Sequence, residues 1–94
     1  LERDDLDVVS IAVPDHWHSI PAISAANKKL DIYAEKPLAL TISEGRAMVN
    51  AVEKNGVIWQ TGSWQRSQEN FYRGAQLVRS GYIGEVHTVK VGLP

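Results

Sequence analysis

The sequence predicts an α/β fold, a parallel sheet carrying helices on both faces, and three observations support that expectation. Strand-sized apolar runs begin near residues 8, 31 and 57. Helix-length stretches with their own start and stop signals separate them. The resulting spacing is that of two βαβ units, in which right-handed crossovers place successive strands side by side and parallel.

Val8 to Val13 (VVSIAV) is β-branched, nearly all apolar and halted by Pro14, the pattern of a parallel strand covered on both faces. Pro21 fits a helix only in the first turn, where its missing N–H is not needed, so a helix should start between His18 and Ile20 and run to about Lys29. Ile20, Ile23, Ala26 and Leu30 would share its face. Asp31 to Ala34 reads as a second strand, and Glu35-Lys36-Pro37 must turn at its carboxyl end, since the proline biases Lys36 away from helical angles.

Thr41-Ile42-Ser43-Glu44 has the spacing of a capping box, in which a hydroxyl takes an orphan N–H and a carboxylate reaches back to the cap. The helix it opens should reach about Asn55, bury Met48, Ala51 and Val52, and stop at Gly56. Val57 to Thr61 is the third strand, with Trp59 expected in the core. Ser67 or Asn70 can cap a helix holding Phe71, Ala75, Leu77 and Val78 and ending at Ser80-Gly81. Glu85 to Gly92 alternates as a strand with two unlike faces.

Composition narrows the function. The 94 residues, 44% hydrophobic, allow one core. Ten basic and eleven acidic residues are scattered and sum to −1, so no single-signed field exists to hold nucleic acid or an anionic membrane. The absence of cysteine removes thiolate nucleophiles and cysteine metal sites, and no apolar stretch approaches the roughly 18 residues of a membrane span. Both ends look cut, so the sequence reads as an internal piece whose strand edges and helix faces would be left uncovered in isolation.

In open parallel sheets ligands sit beyond the carboxyl ends of the strands. Three polar clusters fall at that edge: Pro14-Asp15-His16-Trp17-His18, Glu35-Lys36-Pro37 and Gln60-Thr61-Gly62-Ser63-Trp64-Gln65-Arg66. Each has a plain reading by itself. Lys36 could be a solvated turn lysine, His16 and His18 a pair at a helix start, Trp17 and Trp64 packing residues, and Arg66 half of a surface ion pair. Two histidines two apart suggest metal, but no third ligand cluster accompanies them. His87 lies far from these clusters and is given no role. What favours chemistry is convergence on one edge. A lysine that transfers protons must lose much of its preference for the charged form, which burial in a cleft promotes.

The order of motifs, a strand, Pro-Asp-His-Trp-His, about 20 residues, Glu-Lys-Pro-Leu-Ala-Leu-Thr, a helix, Gln-Thr-Gly-Ser-Trp-Gln-Arg-Ser, then Ser-Gly-Tyr-Ile-Gly-Glu-Val, resembles the second half of the nucleotide domain of Gfo/Idh/MocA oxidoreductases. The resemblance covers nearly the whole chain. It implies a Rossmann-type sheet over residues 1–83 and, at 84–94, the first strand of a second, α+β domain. It implies NAD or NADP as cofactor, a sugar, inositol or related polyol as substrate, and Lys36 as the catalytic residue, bonded to the reacting hydroxyl or carbonyl.

Glu35 then lies near the nicotinamide ribose, and Pro37 matches a proline that is often cis, fixing how the lysine is aimed. Pro14, Asp15, His16 and His18 line the cofactor mainly through backbone groups, and Lys36, Pro37, Gln60 and Gly62 are further cofactor-binding positions. Trp64 and Arg66 match a segment near the substrate. The seven glycines include no G-x-G-x-x-G, so the pyrophosphate contacts are not in this sequence. The resemblance further implies a homo-oligomer. A cytoplasmic location is expected, with a periplasmic one left open. Relatives that oxidise only transiently, cleaving glycosides or epimerising, and a non-catalytic α/β binding module are the alternatives.

Overall fold

The computed structural model describes residues 3–93. It falls into two compact units, one ending at Ser63 and one starting at Trp64. The first contains β1 (Val8–Ile11), α1 (Ser19–Asn27), β2 (Asp31–Glu35), α2 (Ile42–Asn55) and β3 (Trp59–Gly62). A 3-10 turn at Asp15–Trp17 precedes α1.

The sheet order is β1-β2-β3, with both pairings parallel. The registers align Val9 with Ile32 and Trp59, and Ile11 with Ala34 and Thr61. Because side chains alternate across a sheet, these rows share one face, and α1 and α2 pack against one another to cover it. Two same-handed crossovers advancing in one direction lay both helices on that face. The second helical layer expected from the sequence therefore does not come from these crossovers.

The opposite face, with Val8, Ser10, Tyr33 and Gln60, is exposed. This corrects the expectation that β1 is covered on both faces: Val8 is 58% exposed, since one helical layer buries only alternate residues. The strand also ends at Ile11 rather than Val13.

The core is Ile11, Ala22, Ala25, Ala26, Leu30, Ile32, Ala34, Met48 and Ala51. In α1 the buried face is Ser19, Ala22, Ala25 and Ala26, whereas Ile20, expected inside, is 57% exposed. Alanines allow α1 to approach the strands and α2 closely, and a branched side chain in their place would hold the backbones apart. Pro21 is the third residue of α1, inside the first turn as anticipated.

The capping box of α2 forms as read: the Glu44 N–H donates to Thr41 Oγ1 at 3.2 Å and the Thr41 N–H to Glu44 Oε2 at 2.9 Å. Gly56 ends the helix with φ 65°, the left-handed conformation a side chain disfavours. The helix ends meet where Asn55 Nδ2 donates to Asn27 Oδ1 at 3.2 Å. Trp59, expected in the core, is half-buried at its margin.

The second unit holds a 3-10 turn at Trp64–Ser67 and α3 (Glu69–Arg79). Gln68 flanks the helix start and offers no side-chain cap, so neither Ser67 nor Asn70 has the expected role; Ser67 is still in the 3-10 turn and Asn70 already helical. The helix gives way at Ser80, with Gly81 at φ 78°. The strand expected over Glu85 to Gly92 is not formed: residues 85–93 are exposed and without regular structure. Alternation prepares a strand, but a strand exists only against a hydrogen-bonding neighbour, and the described residues provide none.

Candidate functional site

Parallel strands share a carboxyl edge, so the three reversals read from the sequence in the first unit meet along one rim. Ile11, Ala34 and Thr61 stand side by side, and one residue further on Glu35 pairs with Gly62. With strands about 4.8 Å apart, the ends of β1 and β3 lie roughly 10 Å from one another. That span suits a single nucleoside or sugar. The rim thus gathers Pro14–His18, Glu35-Lys36-Pro37, Gln60 and Gly62.

At the β1 end, Pro14, Asp15, His16 and Trp17 are exposed. The Trp17 N–H donates to the Pro14 carbonyl at 2.8 Å, closing the 3-10 turn, and the His16 and Trp17 rings lie 5.9 Å apart at 49°. His18 differs from its neighbours: it is 1% exposed, with Nε2 2.8 Å from the Val13 carbonyl. A carbonyl only accepts, so Nε2 carries the proton. Nδ1 is then a buried lone pair with no partner among the described residues. The ring faces inward and clamps the loop, so the His18 side chain itself is not presented at the rim.

At the β2 end, Glu35 is half-buried and Lys36 exposed, and the Lys36–Pro37 peptide bond is cis. No side-chain hydrogen bond to Lys36 is present among the described residues, and the cleft burial anticipated around it is not supplied by this unit. At the β3 end, Gln60 is exposed and Gly62 buried. A Cβ on Gly62 would lie 2.6 Å from Glu35 Oε1 and 2.9 Å from Oε2. The carboxylate therefore lies flat on the glycine. This close approach was not legible from the motifs, because it follows from the β2–β3 register.

These residues suit the nicotinamide-side nucleoside of a dinucleotide: an exposed backbone loop, a seated carboxylate able to accept from hydroxyls, and an amine within the same rim. The glycine loop needed for the pyrophosphate is not among them. Trp64 and Arg66 are exposed residues of the 3-10 turn in the second unit. Among the described residues no cluster of three metal-ligating side chains occurs. A groove of about 310 Å³ beside α2, lined by Leu38, Met48, Val49, Val52, Trp59 and Thr61, is nearly all apolar. Only Glu53 and Thr61 bring polar side chains to it, fewer than the set of converging groups that would orient a sugar. Far from the rim, Arg3 holds the Asp5 carboxyl below its usual value, and the hydrogen bond to Asp5 raises Arg3 in turn; both are exposed, so solvent screens the pair.

Comparison with known proteins identifies the family. Residues 1–63 match the model of an oxidoreductase family with an NAD-binding Rossmann fold. The 2,7-anhydro-N-acetylneuraminate hydratase of Escherichia coli (strain K12) is 35% identical over 94 residues, 93% of this chain and 24% of that protein. The scyllo-inositol 2-dehydrogenase (NAD(+)) of Bacillus subtilis (strain 168) is 33% identical over 85 residues, 90% of this chain and 25% of that protein.

Among solved structures, the scyllo-inositol dehydrogenase from Lactobacillus casei with bound NAD(H) and scyllo-inositol superposes with a TM-score of 0.73 at 27% identity, covering 89% of this chain and 25% of that one. The chain spans about a quarter of the length of the curated relatives it matches. From the match over residues 1–63 and its parallel three-strand order, the chain belongs to the Gfo/Idh/MocA oxidoreductase family, with that family's Rossmann-type fold.

Proposed function

We propose that this chain forms the nicotinamide side of the active site in an NAD- or NADP-dependent oxidoreductase acting on a sugar, inositol or related polyol. The single observation that supports this is the shared rim, where the carboxyl ends of β1, β2 and β3 bring the Pro14–His18 loop, Glu35-Lys36-Pro37 and Gly62 together. When bound, the nicotinamide supplies the hydride acceptor or donor. The protein positions it and moves the proton.

Lys36 is the acid/base: its amine bonds the reacting oxygen and takes or returns the hydroxyl proton as the carbon–hydrogen bond is broken or made. Such proton transfer contributes roughly 10²- to 10⁴-fold to rate. Glu35 accepts from hydroxyls on the nicotinamide side, and the loop over Pro14, Asp15, His16 and His18 presents backbone groups to it, as do Pro37, Gln60 and Gly62. Trp64 and Arg66 contribute to substrate binding. Residues 1–83 belong to the nucleotide domain and 84–94 open the next, in a cytoplasmic homo-oligomer. Among the described residues no helix is long and apolar enough to cross a membrane.

Lys36→Met in the complete protein tests this reading. It should lower hydride transfer at least a hundredfold, within the range of general acid–base catalysis, while cofactor binding is largely kept. Unchanged turnover rejects Lys36 as the acid/base, and failure of the complete protein to bind NADH at millimolar concentration favours a non-catalytic module. Some relatives are named hydratase rather than dehydrogenase; net NADH accumulation during turnover separates dehydrogenation from transient oxidation.

A further inference from the structure

We infer that Gly62 is a positioning residue: the space left by its missing side chain is the seat of the Glu35 carboxylate, and that seat sets the affinity for the dinucleotide.

The inference rests on the proposed cofactor role of this rim and on three features of the first unit. Glu35 and Gly62 are register partners on adjacent parallel strands, so their side-chain directions point to the same face of the sheet. That face is the one α1 and α2 leave open, and on it the carboxylate is free to turn toward solvent. It instead lies across Gly62, with Oε1, Cδ and Oε2 at 2.6, 2.7 and 2.9 Å from where a Cβ would stand. While Glu35 keeps this position, no side chain fits at residue 62.

Gly62 is not required here for backbone freedom, since its φ lies outside the left-handed region occupied by Gly56, Gly81 and Gly84. What it provides is room. An added methyl group meets only the far end of a flexible side chain, so the chain can keep its fold by swinging Glu35 outward. The expected consequence falls on ligand binding, with the fold largely spared. A carboxylate held on the rim accepts from hydroxyls at a fixed place, whereas one turned to water must be reordered at each binding event.

The test is a double-mutant cycle in the complete protein with Gly62→Ala, Glu35→Ala and the pair, read by NADH titration and by the crystal structure of the Gly62→Ala variant. Gly62→Ala should weaken NADH binding roughly tenfold or more, the scale of a lost hydrogen bond to a charged group, and should cost nothing further when residue 35 is alanine. In the crystal, Glu35 should have left its seat.

Additive losses, or a carboxylate still in place over the added methyl group, overturn the inference. If Gly62→Ala fails to fold, recovery of folding by Glu35→Ala supports the seat, and equal damage in both backgrounds overturns it. If no variant, wild type included, binds NADH while Glu35 is displaced in the Gly62→Ala crystal, the seat stands as a steric fact. Its role toward the dinucleotide then falls together with the proposed function.

Discussion

Replacing His18 by leucine should loosen the β1 loop without lowering global stability. Two effects oppose one another. The substitution removes the Nε2–H bond to the Val13 carbonyl, 2.8 Å long, a net loss of about 1 kcal/mol for a neutral hydrogen bond. It also removes Nδ1, a buried nitrogen with no partner among the described residues, whose desolvation costs about 1–3 kcal/mol. Leucine has a similar volume and fills the site, which is 1% exposed, without opening a cavity. Val13 is 38% exposed, so water can reach its freed carbonyl. The sum lies between no change and a gain of about 2 kcal/mol in global stability.

The loop responds differently, because the clamp is local to it. Losing about 1 kcal/mol of closing energy speeds exchange of the Trp17 amide, now bonded to Pro14, about fivefold. Native-state hydrogen exchange of the complete protein, run beside urea unfolding, reads both quantities. His18→Gln, whose amide can donate at similar reach, should recover part of the Trp17 protection. A loss of about 3 kcal/mol or more in unfolding free energy with unchanged Trp17 exchange would refute the reasoning and make His18 a core residue only.

Lys29 has φ 59° just past the end of α1, a conformation costing roughly 1–2 kcal/mol for a residue with a side chain. Lys29→Gly should stabilise the protein by about 0.5–1 kcal/mol after the greater entropy of glycine in the unfolded chain is counted, and Lys29→Asn by less; urea midpoints decide, and destabilisation by glycine would contradict the backbone argument. Thr41→Ala removes the acceptor for the Glu44 N–H and should cost about 1 kcal/mol, with faster exchange of that amide; an unchanged midpoint would show the box to be dispensable.

Local chemistry made much of this fold readable. Thr41 and Glu44, Gly56 and Pro21 each mark an element boundary through a backbone requirement that does not depend on neighbours, and each behaves as its chemistry demands. The parallel order follows from spacing and handedness, and with it the shared rim. What could not be read depends on partners distant in sequence. Ile20 outranks Ala22 in hydropathy, yet small size decided which face of α1 approaches the sheet. Val8 is apolar, but one helical layer covers only alternate residues of β1.

The same distinction runs through the site. The three clusters were visible as motifs, whereas the inward turn of His18 needed the position of the Val13 carbonyl that its ring reaches, and the seat on Gly62 needed the β2–β3 register. Glu85 to Gly92 shows the limit from the other side: a well-formed alternating pattern is not a strand until another strand lies beside it.

A crystal structure of the complete protein with NADH and a polyol bound addresses the proposed site directly. The nicotinamide should lie against the rim formed by the ends of β1, β2 and β3, with the Lys36 amine in hydrogen-bond reach of the reacting oxygen, about 2.6–3.2 Å, and the Glu35 carboxylate facing the ribose. A nicotinamide bound at the opposite edge of the sheet, or Lys36 turned away into solvent in the ternary complex, would contradict the assignment of chemistry to this rim.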